Sequence, residues 1–553
     1  MNRIVLLILV FGLLVSFAAC VGRASDPDEN EAKETADTEK VTEDTSDKLL
    51  AWTTHSYDKI ITNQDPKGEL STDYTVYLTR GETEGCTLAV RSPETMAGIT
   101  LTLVSGENEF IGITEYVMNK THEIGSKLYT DALIPYSGRK VSLKKNIILP
   151  FMVEFTTTKD TPAGEYKYVY DLVGKKDELL ATFNITVHVW DIVLPEDKSF
   201  ATSAGLNKSW MGMYSGDSSE EMYKLWFDTE LEHNINNYDV PYGILDERAN
   251  EYMSDPRITS FMVPIPKNAD GSLNEALLLQ YYNKIKSNPD WLEKAYFLPL
   301  DEPRTMEHLA QLKQWNETLK RLCPGIEMTA PFYTNIQTGS KTDQLEHMIE
   351  YMDFWCPKLC LWDDVKSYGE FLTYTPSKSF AERIAEQKES GDKLWAYVCN
   401  DPDDPYAQMF IDTEGVHQRL MFWQCYQRDV EGFLYWTTAY YGYDKDGNHV
   451  NPWESTNTGI KNGKGETIYG CGFLFYPGKD VGIKGCVPSI RAKIVRDGAD
   501  DVELFYLAEE ALGKDWLISK TLEGTPSLTE YADCDTFAAL RIEIGNALEA
   551  ALG

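Results

Sequence analysis

Between residues 199 and 439, eight short apolar runs alternate with amphipathic, helix-like segments. The alternation predicts strands at 199–206, 236–243, 259–266, 294–300, 326–333, 352–359, 393–400 and 432–439. Strands separated by helices favour parallel pairing, because each helix returns the chain to the same end of the sheet. Eight such units over roughly 240 residues predict an α/β fold with a (β/α)8 TIM-like barrel.

Different patterns flank this region. Residues 49–196 contain short alternating apolar runs separated by turn residues, which predicts an all-β sandwich domain in front of the barrel. We place the barrel at 197–482, starting within "LPEDKS", and a C-terminal helical extension at 483–553. A chain of 553 residues is long enough for each of these parts to bury its own core.

The first 20 residues, "MNRIVLLILVFGLLVSFAAC", have one arginine, a long apolar run and small residues before Cys20. This pattern predicts a secretory signal. Its ending resembles a bacterial lipoprotein cleavage box, which implies that Cys20 is lipidated. Residues 21–48 are acidic and nearly free of apolar side chains, which predicts a disordered acidic tether. We therefore expect a protein outside the cytoplasm, lipid-anchored to the bacterial cell membrane or surface; the alternative is an ordinary secreted protein.

Composition excludes several other functions. The formal net charge of −35 repels phosphate backbones, so no nucleic-acid partner is expected. Cys356 and Cys360 lack further ligands at zinc-site spacing and are interpreted as core residues or at most a disulfide. The sequence contains neither a phosphate-binding glycine-rich loop nor a His-Glu-x-x-His pattern. No cofactor or metal is predicted, and a homodimer stays open.

The stretch "KAYFLPLDEP" ends the fourth predicted strand on Asp301 and Glu302. Barrel enzymes carry their catalytic groups at the carboxyl ends of the strands. Two carboxyl groups in different environments can have separate pKa values, so that one acts as an acid while the other stays charged. We predict that Asp301 and Glu302 form the catalytic pair. Asp246 and Glu247 follow a similar run but precede a helix-like segment, where acidic residues suit the helix dipole.

Aromatic and polar residues lie along or just beyond the other predicted strands. Aromatic rings stack on the apolar faces of sugars, and amide and carboxyl groups bind hydroxyls. These positions predict a sugar-binding cleft with the candidate substrate-binding residues Tyr333, Asn335, Trp362, Asp363, Trp395, Tyr397 and Trp436. His233, just before the predicted strand 236–243, and Asn237, near its start, are further candidates.

Several stretches resemble, in their order, glycoside hydrolase family 123, the β-N-acetylgalactosaminidases, and their barrel relatives. They include "LPLDEP", "LWAYVCNDPDDPY", "GFLYWTTAYY", "NPWE", "GFLFYPG" and "SIRAKIVRDGADDVELF". The resemblance implies that the enzyme removes terminal β-linked N-acetylgalactosamine with retention of configuration. The 2-acetamido group of the sugar would attack its own anomeric carbon and give an oxazolinium-like intermediate.

The resemblance also implies roles for the two carboxyl groups. Asp301 would orient the acetamide and stay charged, and Glu302 would act first as general acid and then as general base. We expect burial to raise the pKa of Glu302 so that it holds its proton. Because the substrate supplies the nucleophile, no second carboxylate across the sugar ring is required.

Two other functions remain open. A glycosidase for a sugar without an acetamide group would need a distant second carboxylate, for which Asp363, Asp401 and Glu431 are candidates. A non-catalytic lipoprotein that captures glycans at the cell surface would use the same cleft for binding alone.

Overall fold

The computed structural model describes residues 48–66, 68, 70–333, 344–363 and 377–553. The predicted signal peptide with Cys20, nearly all of the predicted tether, and Asn335 lie outside these residues. The described residues belong to one compact unit. Within this part of the chain, no helix is both long and apolar enough to cross a membrane.

Two five-stranded sheets occupy the region predicted to be a β-sandwich. Almost all neighbouring strands are antiparallel, but Asp73–Arg80 and Leu179–Val193 pair in parallel. Side chains of both sheets, such as Leu88 and Tyr170, share one hydrophobic core. One sheet has the order Leu50–His55, Thr83–Arg91, Leu149–Thr156, Gly112–Val117 and Ile134–Pro135, and the other has Asp73–Arg80, Leu179–Val193, Gly164–Val173, Met96–Ser105 and Val141–Leu143. Thr121–Ile124 and Lys127–Thr130 form a separate hairpin.

The predicted parallel strands form two sheets rather than a closed barrel in the described residues. All neighbours within both sheets are parallel. The first sheet has the order Ala201–Ala204, Gly432–Tyr435, Lys393–Val398, Phe354–Pro357 and Pro331–Phe332, and the second has Phe261–Met262, Ala295–Phe297 and Glu327–Met328. The expectation of a continuous eight-stranded barrel is therefore not met, although the fold is mixed α/β as predicted.

Two predicted strands explain the interruption. The segment 236–243 makes only a single bridge, between Asn237 and Ala204. Its Asn236 side chain accepts hydrogen bonds from the Thr259 hydroxyl at 2.7 Å and from the backbone N–H of Ser260 at 3.2 Å, which compete with regular ladder pairing. The predicted strand 326–333 is divided between the two sheets, and Pro331 cannot donate to a ladder.

Helices separate the parallel strands and form the carboxyl-terminal tail. Side-chain caps fix several of their starts; Thr305, for example, accepts a hydrogen bond from the N–H of His308 at the start of Met306–Leu322. The described α-helices are Lys208–Ser215, Glu220–Leu231, Ala249–Met253, Glu275–Ile285, Pro289–Lys294, Met306–Leu322, Gln344–Met348, Phe380–Glu389, Gly415–Tyr426, Ile490–Leu512, Lys514–Gly524 and Cys534–Leu552. Short 3-10 helices occur at Leu359–Trp362 and Gly478–Val481, and short antiparallel pairs join Asn457–Lys461 to Thr467–Tyr469 and Phe475–Pro477 to Cys486–Pro488.

Buried charges connect the sandwich to the helices. The Arg419 guanidinium donates to Asp501 at 2.8 Å and pairs with Glu84 of the sandwich. Arg541 of the last helix pairs with Glu82 and donates to Asp501 at 2.7 Å. We call the buried charged residues of this region the interface network; they are Glu82, Glu84, Glu154, Arg419, Lys493, Arg496, Asp497, Asp501 and Arg541. Since removing one partner leaves a buried charge unpaired, these contacts hold the sandwich and the helices in one arrangement.

Candidate active site

Asp301 and Glu302 follow the parallel strand Ala295–Phe297 at its carboxyl end. Glu302 has a backbone φ of 42°, in the left-handed region that few non-glycine residues adopt. Its N–H donates to the carbonyl oxygen of Pro331 at 3.1 Å, which ties this turn to the neighbouring strand segment. Such unusual backbone conformations occur where the surrounding structure holds them in place, often at functional sites.

The Glu302 carboxyl group is held from two sides. The Tyr397 hydroxyl donates to Oε1 at 2.7 Å, and the Arg304 guanidinium pairs with Oε2. The Glu302 side chain is only 13% exposed. Both partners are donors to a carboxylate, so Glu302 is oriented by charge-assisted contacts rather than surrounded by apolar groups alone.

The Asp301 carboxyl group has a perturbed pKa. Part of the residue faces solvent. Nearby protein atoms nevertheless shield the carboxyl group, and this burial together with the charge of Glu302 raises the pKa of Asp301 to about 6, against the opposing effect of Arg304 and Lys358. The sequence-based expectation assigned the raised pKa to Glu302 and a permanent charge to Asp301. With a pKa of about 6, Asp301 is still charged at neutral pH, and the separate roles of the two carboxyl groups stay a prediction.

Lys358 supplies a buried positive charge beside the pair. Its ammonium group pairs with Asp401 and lies 4.6 Å from the ring centre of Tyr333 and 5.6 Å from that of Tyr397. Burial alone would lower the pKa of Lys358, but neighbouring groups, including Cys399 and Asp401, raise it overall. Lys358 is thus a fixed cation, and its cation–π contacts help to position the two tyrosines.

The structure brings some of the predicted substrate-binding residues to the catalytic pair. Tyr333 and Tyr397 lie with Arg304 and Lys358 around Glu302. Trp436 directly follows the strand Gly432–Tyr435 and is half-buried.

Glycine permits a close approach beside Trp436. A methyl group at Gly205 would lie 2.5 Å from the Trp436 carbonyl oxygen and 3.2 Å from the Tyr238 ring. Asp301 acts electrostatically on the buried hydroxyl of Tyr238 and helps to raise its pKa, although burial is the larger cause. Tyr238 therefore links the neighbourhood of Trp436 to the catalytic pair.

Trp362 and Asp363 follow Lys358 on the same connection. The Trp362 ring packs edge-on against Phe380 at 5.3 Å. The Asp363 carboxylate accepts a hydrogen bond from the Tyr406 hydroxyl at 2.6 Å. Both residues lie beyond the carboxyl end of their strand, and a role in binding the substrate stays a prediction.

Three other predicted residues lie elsewhere in the fold. Trp395, near the start of its strand, packs against Tyr296 at 5.3 Å and Phe354 at 4.8 Å. Trp395 lines a cavity at the amino ends of the strands. Two residues along a strand span about 7 Å, so Trp395 lies about that far from Tyr397, toward the amino end. His233 is buried, with Nδ1 2.7 Å from the carbonyl oxygen of Thr229, and burial lowers its pKa well below the usual value. Asn237 is buried beside Ala204.

Arg304 and Lys358 are contacts of the pair that sequence reasoning missed. Lys358 directly follows the strand Phe354–Pro357 and lies within the last two residues of the predicted strand 352–359, whereas Asp301 comes four residues after Phe297. A search for charged residues of both signs at the carboxyl end of each predicted strand finds Lys358. Arg304 stands only two residues after Glu302, and its role becomes clear once the turn at Glu302 is known.

The three carboxyl groups proposed as a distant second catalytic carboxylate have other partners. Asp401 pairs with Lys358, and Asp363 accepts from Tyr406. Glu431 precedes the strand Gly432–Tyr435, lines the cavity at the amino ends and pairs with Lys388. Among the residues that the structure describes, no group of three or more His, Cys, Asp or Glu side chains is arranged to hold a metal ion.

Comparison with known families identifies the class of enzyme. The model of the glycoside hydrolase 123 catalytic domain matches residues 178–508, which is more than half of the chain. The protein is therefore a glycoside hydrolase. The chain belongs to glycoside hydrolase family 123, which confirms the family resemblance found in the sequence.

A solved structure supports the same fold. The structure of a family 123 glycoside hydrolase from Clostridium perfringens, described for its hydrolysis of glycolipid glycans, matches with a TM-score of 0.61 at 14% identity, over 91% of this chain and 98% of that one. A β-glucuronidase from Parabacteroides merdae matches with a TM-score of only 0.24 at 10% identity, over 64% of this chain and 45% of that one, and carries no argument. No curated protein sequence matches the chain.

Proposed function

We propose that this enzyme removes terminal β-linked N-acetylgalactosamine from glycans with retention of configuration, by substrate-assisted catalysis. The observation that carries the proposal is the adjacent pair Asp301 and Glu302 beyond the carboxyl end of a parallel strand. The Tyr397 hydroxyl donates a hydrogen bond to Glu302, and Arg304 forms an ion pair with it. Adjacent carboxyl groups suit a reaction in which the substrate supplies the nucleophile, because no carboxylate is needed on the opposite face of the sugar. The family and its Clostridium perfringens member agree with a glycan substrate.

The proposed steps use the two carboxyl groups differently. The Asp301 carboxylate accepts the acetamide N–H and orients the acetamide oxygen toward the anomeric carbon. Glu302 gives its proton to the glycosidic oxygen as the bond between that oxygen and the anomeric carbon breaks, and the acetamide oxygen forms the new bond. Water then attacks the anomeric carbon as the bond between that carbon and the acetamide oxygen breaks, and the water loses a proton to Glu302. Tyr397 and Arg304 keep Glu302 aimed at the reacting oxygen throughout, and such positioning contributes to the rate.

The raised pKa of Asp301 gives the proposed mechanism a pH dependence. Below about pH 6, Asp301 carries a proton and cannot accept from the acetamide. Above that pH, Asp301 is an anion, and the charge of the oxazolinium-like intermediate is stabilised. Asp301 should therefore set the acid limb of the pH dependence.

The proposal extends to architecture and location. We infer that the two parallel sheets are an irregular form of the (β/α)8 arrangement, because Tyr238 bonds through its backbone both to Ala204 and to Met262 across the interruption. We also propose a secreted, lipid-anchored protein attached through Cys20, which lies outside the described residues. A homodimer is compatible with this arrangement.

A thiazoline analogue of the oxazolinium-like intermediate tests the mechanism. Tight competitive inhibition is expected from N-acetylgalactosamine-thiazoline, together with the β-anomer as first product in a proton NMR time course. No inhibition, with the α-anomer released first, would contradict substrate assistance and favour an inverting enzyme that uses a distant carboxylate. Binding of glycans with no hydrolysis of any would instead favour a capture protein.

A further inference from the structure

We propose that the cavity at the amino ends of the parallel strands is a second ligand site, which binds a small saccharide and takes no part in hydrolysis. The cavity has a volume of about 960 Å³, which suits a small-molecule site. Its lining includes residues at or just before the starts of the strands Ala201–Ala204, Phe261–Met262, Ala295–Phe297, Phe354–Pro357, Lys393–Val398 and Gly432–Tyr435. The catalytic pair lies beyond the opposite ends of these strands, so this site is independent of the proposed function.

Small residues at the strand starts leave this space open. Bulky side chains normally fill the interior of a (β/α)8 arrangement. Here Ala201 and Ala295 begin their strands, and Ser260 directly precedes a third. Gly432 begins a fourth strand, and a methyl group there would lie 2.4 Å from the indole nitrogen of Trp395. The sequence therefore leaves room at the amino ends and lets the indole ring lie against the backbone.

Aromatic rings close the inner end of the cavity. Trp395 packs edge-on against Tyr296 and Phe354, and all three residues line the cavity. They belong to one buried cluster with Tyr397, whose hydroxyl donates to Glu302. The cluster thus lies between the cavity and the active site, and it keeps a ligand in the cavity apart from the catalytic pair.

The indole N–H of Trp395 is an unused hydrogen-bond donor. Trp395 is only 5% exposed, and its N–H has no hydrogen-bond partner among the described residues. The Trp436 nitrogen is also unpaired but fully enclosed, whereas the Trp395 nitrogen keeps accessible surface. Because buried donors are paired in folded proteins, this N–H calls for an acceptor that the protein does not supply. An oxygen atom of a ligand in the cavity fills that role.

The free charges of the lining are negative. Every lysine of the lining already bonds to another protein group; they are Lys198, Lys294, Lys388, Lys393 and Lys514. Several carboxyl groups are exposed and form no ion pair with any described residue; they are Asp197, Asp290, Glu293 and Glu510. A phosphate or another anion would meet these carboxylates without a free cation to bind it, which disfavours an anionic ligand.

A ligand with hydroxyl groups matches both parts of the lining. A hydroxyl oxygen accepts from the indole N–H, and the hydroxyl hydrogen donates to a carboxylate. The apolar face of a sugar also suits the aromatic rings at the inner end. An organic cation would satisfy the carboxylates and the rings, but it supplies no acceptor for the N–H. These features favour a saccharide over an anion or a cation.

Heteronuclear NMR of the indole N–H groups tests the site in the intact protein. The Trp395 signal is assigned by its loss in Trp395→Phe, and one molar equivalent of N-acetylgalactosamine-thiazoline occupies the active site. The probes are N-acetylgalactosamine, N-acetylglucosamine, galactose, glucose and mannose, with tetramethylammonium as the cation. We expect at least one sugar to shift the Trp395 signal saturably, with a Kd of about 1 mM, and tetramethylammonium to leave it unchanged.

A pair of surface substitutions tests the same site by calorimetry and leaves the buried rings intact. Glu293→Gln combined with Glu510→Gln should weaken binding of that sugar about tenfold, because hydrogen bonds to charged acceptors are lost. Glu107→Gln combined with Glu317→Gln is the matched control. It changes two exposed carboxyl groups outside the cavity and should bind the sugar as the wild type does.

Three results would overturn the inference. They are the absence of a saturable shift with all five sugars, binding that is unchanged in Glu293→Gln with Glu510→Gln, and equal weakening in both double variants. A shift with tetramethylammonium alone would also overturn it and would define a cation site. None of these measurements requires hydrolysis, so a failure of the proposed function leaves the test intact.

Discussion

The active site and the interface network are both built from charged side chains, but they differ in how completely the charges are enclosed. In the interface network, Arg419 and Asp501 are almost fully buried and bonded to each other at 2.8 Å. At the active site, Asp301 faces solvent in part and Arg304 is half-exposed. An enclosed network stabilises one arrangement of the chain, whereas an open one leaves carboxyl groups that a substrate can reach.

The largest expected effect comes from Glu302→Gln. Hydrolysis of a glycan with a sugar leaving group should slow by about a thousandfold in kcat, since general acid catalysis is lost. The melting temperature should change little, because the amide keeps the shape of the carboxyl group. Glu307→Gln, an exposed neighbour in the following helix, should keep wild-type activity. Full activity of Glu302→Gln would exclude the acid role.

Arg419→Met, in the interface network, should have the opposite effects, with lower stability and unchanged activity. Glu84 and Asp501 would lose a buried partner, and the free energy of unfolding should fall by about 3–5 kcal/mol. Activity per folded molecule should stay at the wild-type level at low temperature. Denaturant unfolding measures the first quantity, and Arg248→Met, at a half-exposed arginine, should cost less than about 1 kcal/mol. If the two variants were equally stable, the interface network would not be what holds the sandwich and the helices in one arrangement.

Tyr397→Phe should have an intermediate effect confined to the active site. The hydroxyl that donates to Glu302 at 2.7 Å is removed, while the buried ring remains. Hydrogen bonds to charged groups contribute about 1.5–3 kcal/mol, so kcat/KM should fall about tenfold to a hundredfold. The effect should appear mainly in kcat. An increase in KM alone would show that Tyr397 binds the sugar without orienting Glu302.

The interface network should also have its own pH dependence. Its five carboxyl groups face four cations, and burial raises the pKa of Asp497 to about 8. A raised pKa in the folded state stabilises the fold while the proton is bound. This contribution is complete at low pH and is lost as the pH rises through about 8. The free energy of unfolding should therefore decrease between about pH 6 and 8 and level off above pH 8, and Asp497→Asn should flatten this decrease. An unchanged slope in the variant would contradict the assignment.

The smallest expected effect is a shift of the active-site pH profile. Lys358 lowers the pKa of Asp301, so its removal should raise the acid limb of kcat/KM by about one unit or less from its position near 6. Lys358→Met combined with Asp401→Asn avoids leaving an unpaired carboxylate, and Asp401→Asn alone is the control. An unmoved acid limb in the double variant would show that Lys358 acts only through packing.

The sequence predicted the parts of the molecule that depend on local pattern. The parallel strands, and the place of Asp301 and Glu302 beyond the carboxyl end of one of them, follow from the apolar runs; the catalytic role of the two residues stays a prediction. The sequence did not predict the interruption at Asn236, which depends on a side chain that competes with the sheet. Trp395 was predicted to bind substrate together with Tyr397, but it lies near the amino end of the same strand and lines a different cavity. The contact between Arg304 and Glu302 could not be predicted either, because it depends on the unusual backbone turn at Glu302.

The most direct test of the account is the hydrolysis of three aryl β-glycosides by the wild-type enzyme. The account predicts turnover of 4-nitrophenyl N-acetyl-β-D-galactosaminide and none of the plain β-galactoside, with the N-acetylglucosaminide much slower. Without the acetamide group, the galactoside lacks its nucleophile. Equal hydrolysis of the galactoside would contradict substrate assistance by the Asp301–Glu302 pair, and no hydrolysis of any of the three would contradict a terminal N-acetylgalactosaminidase.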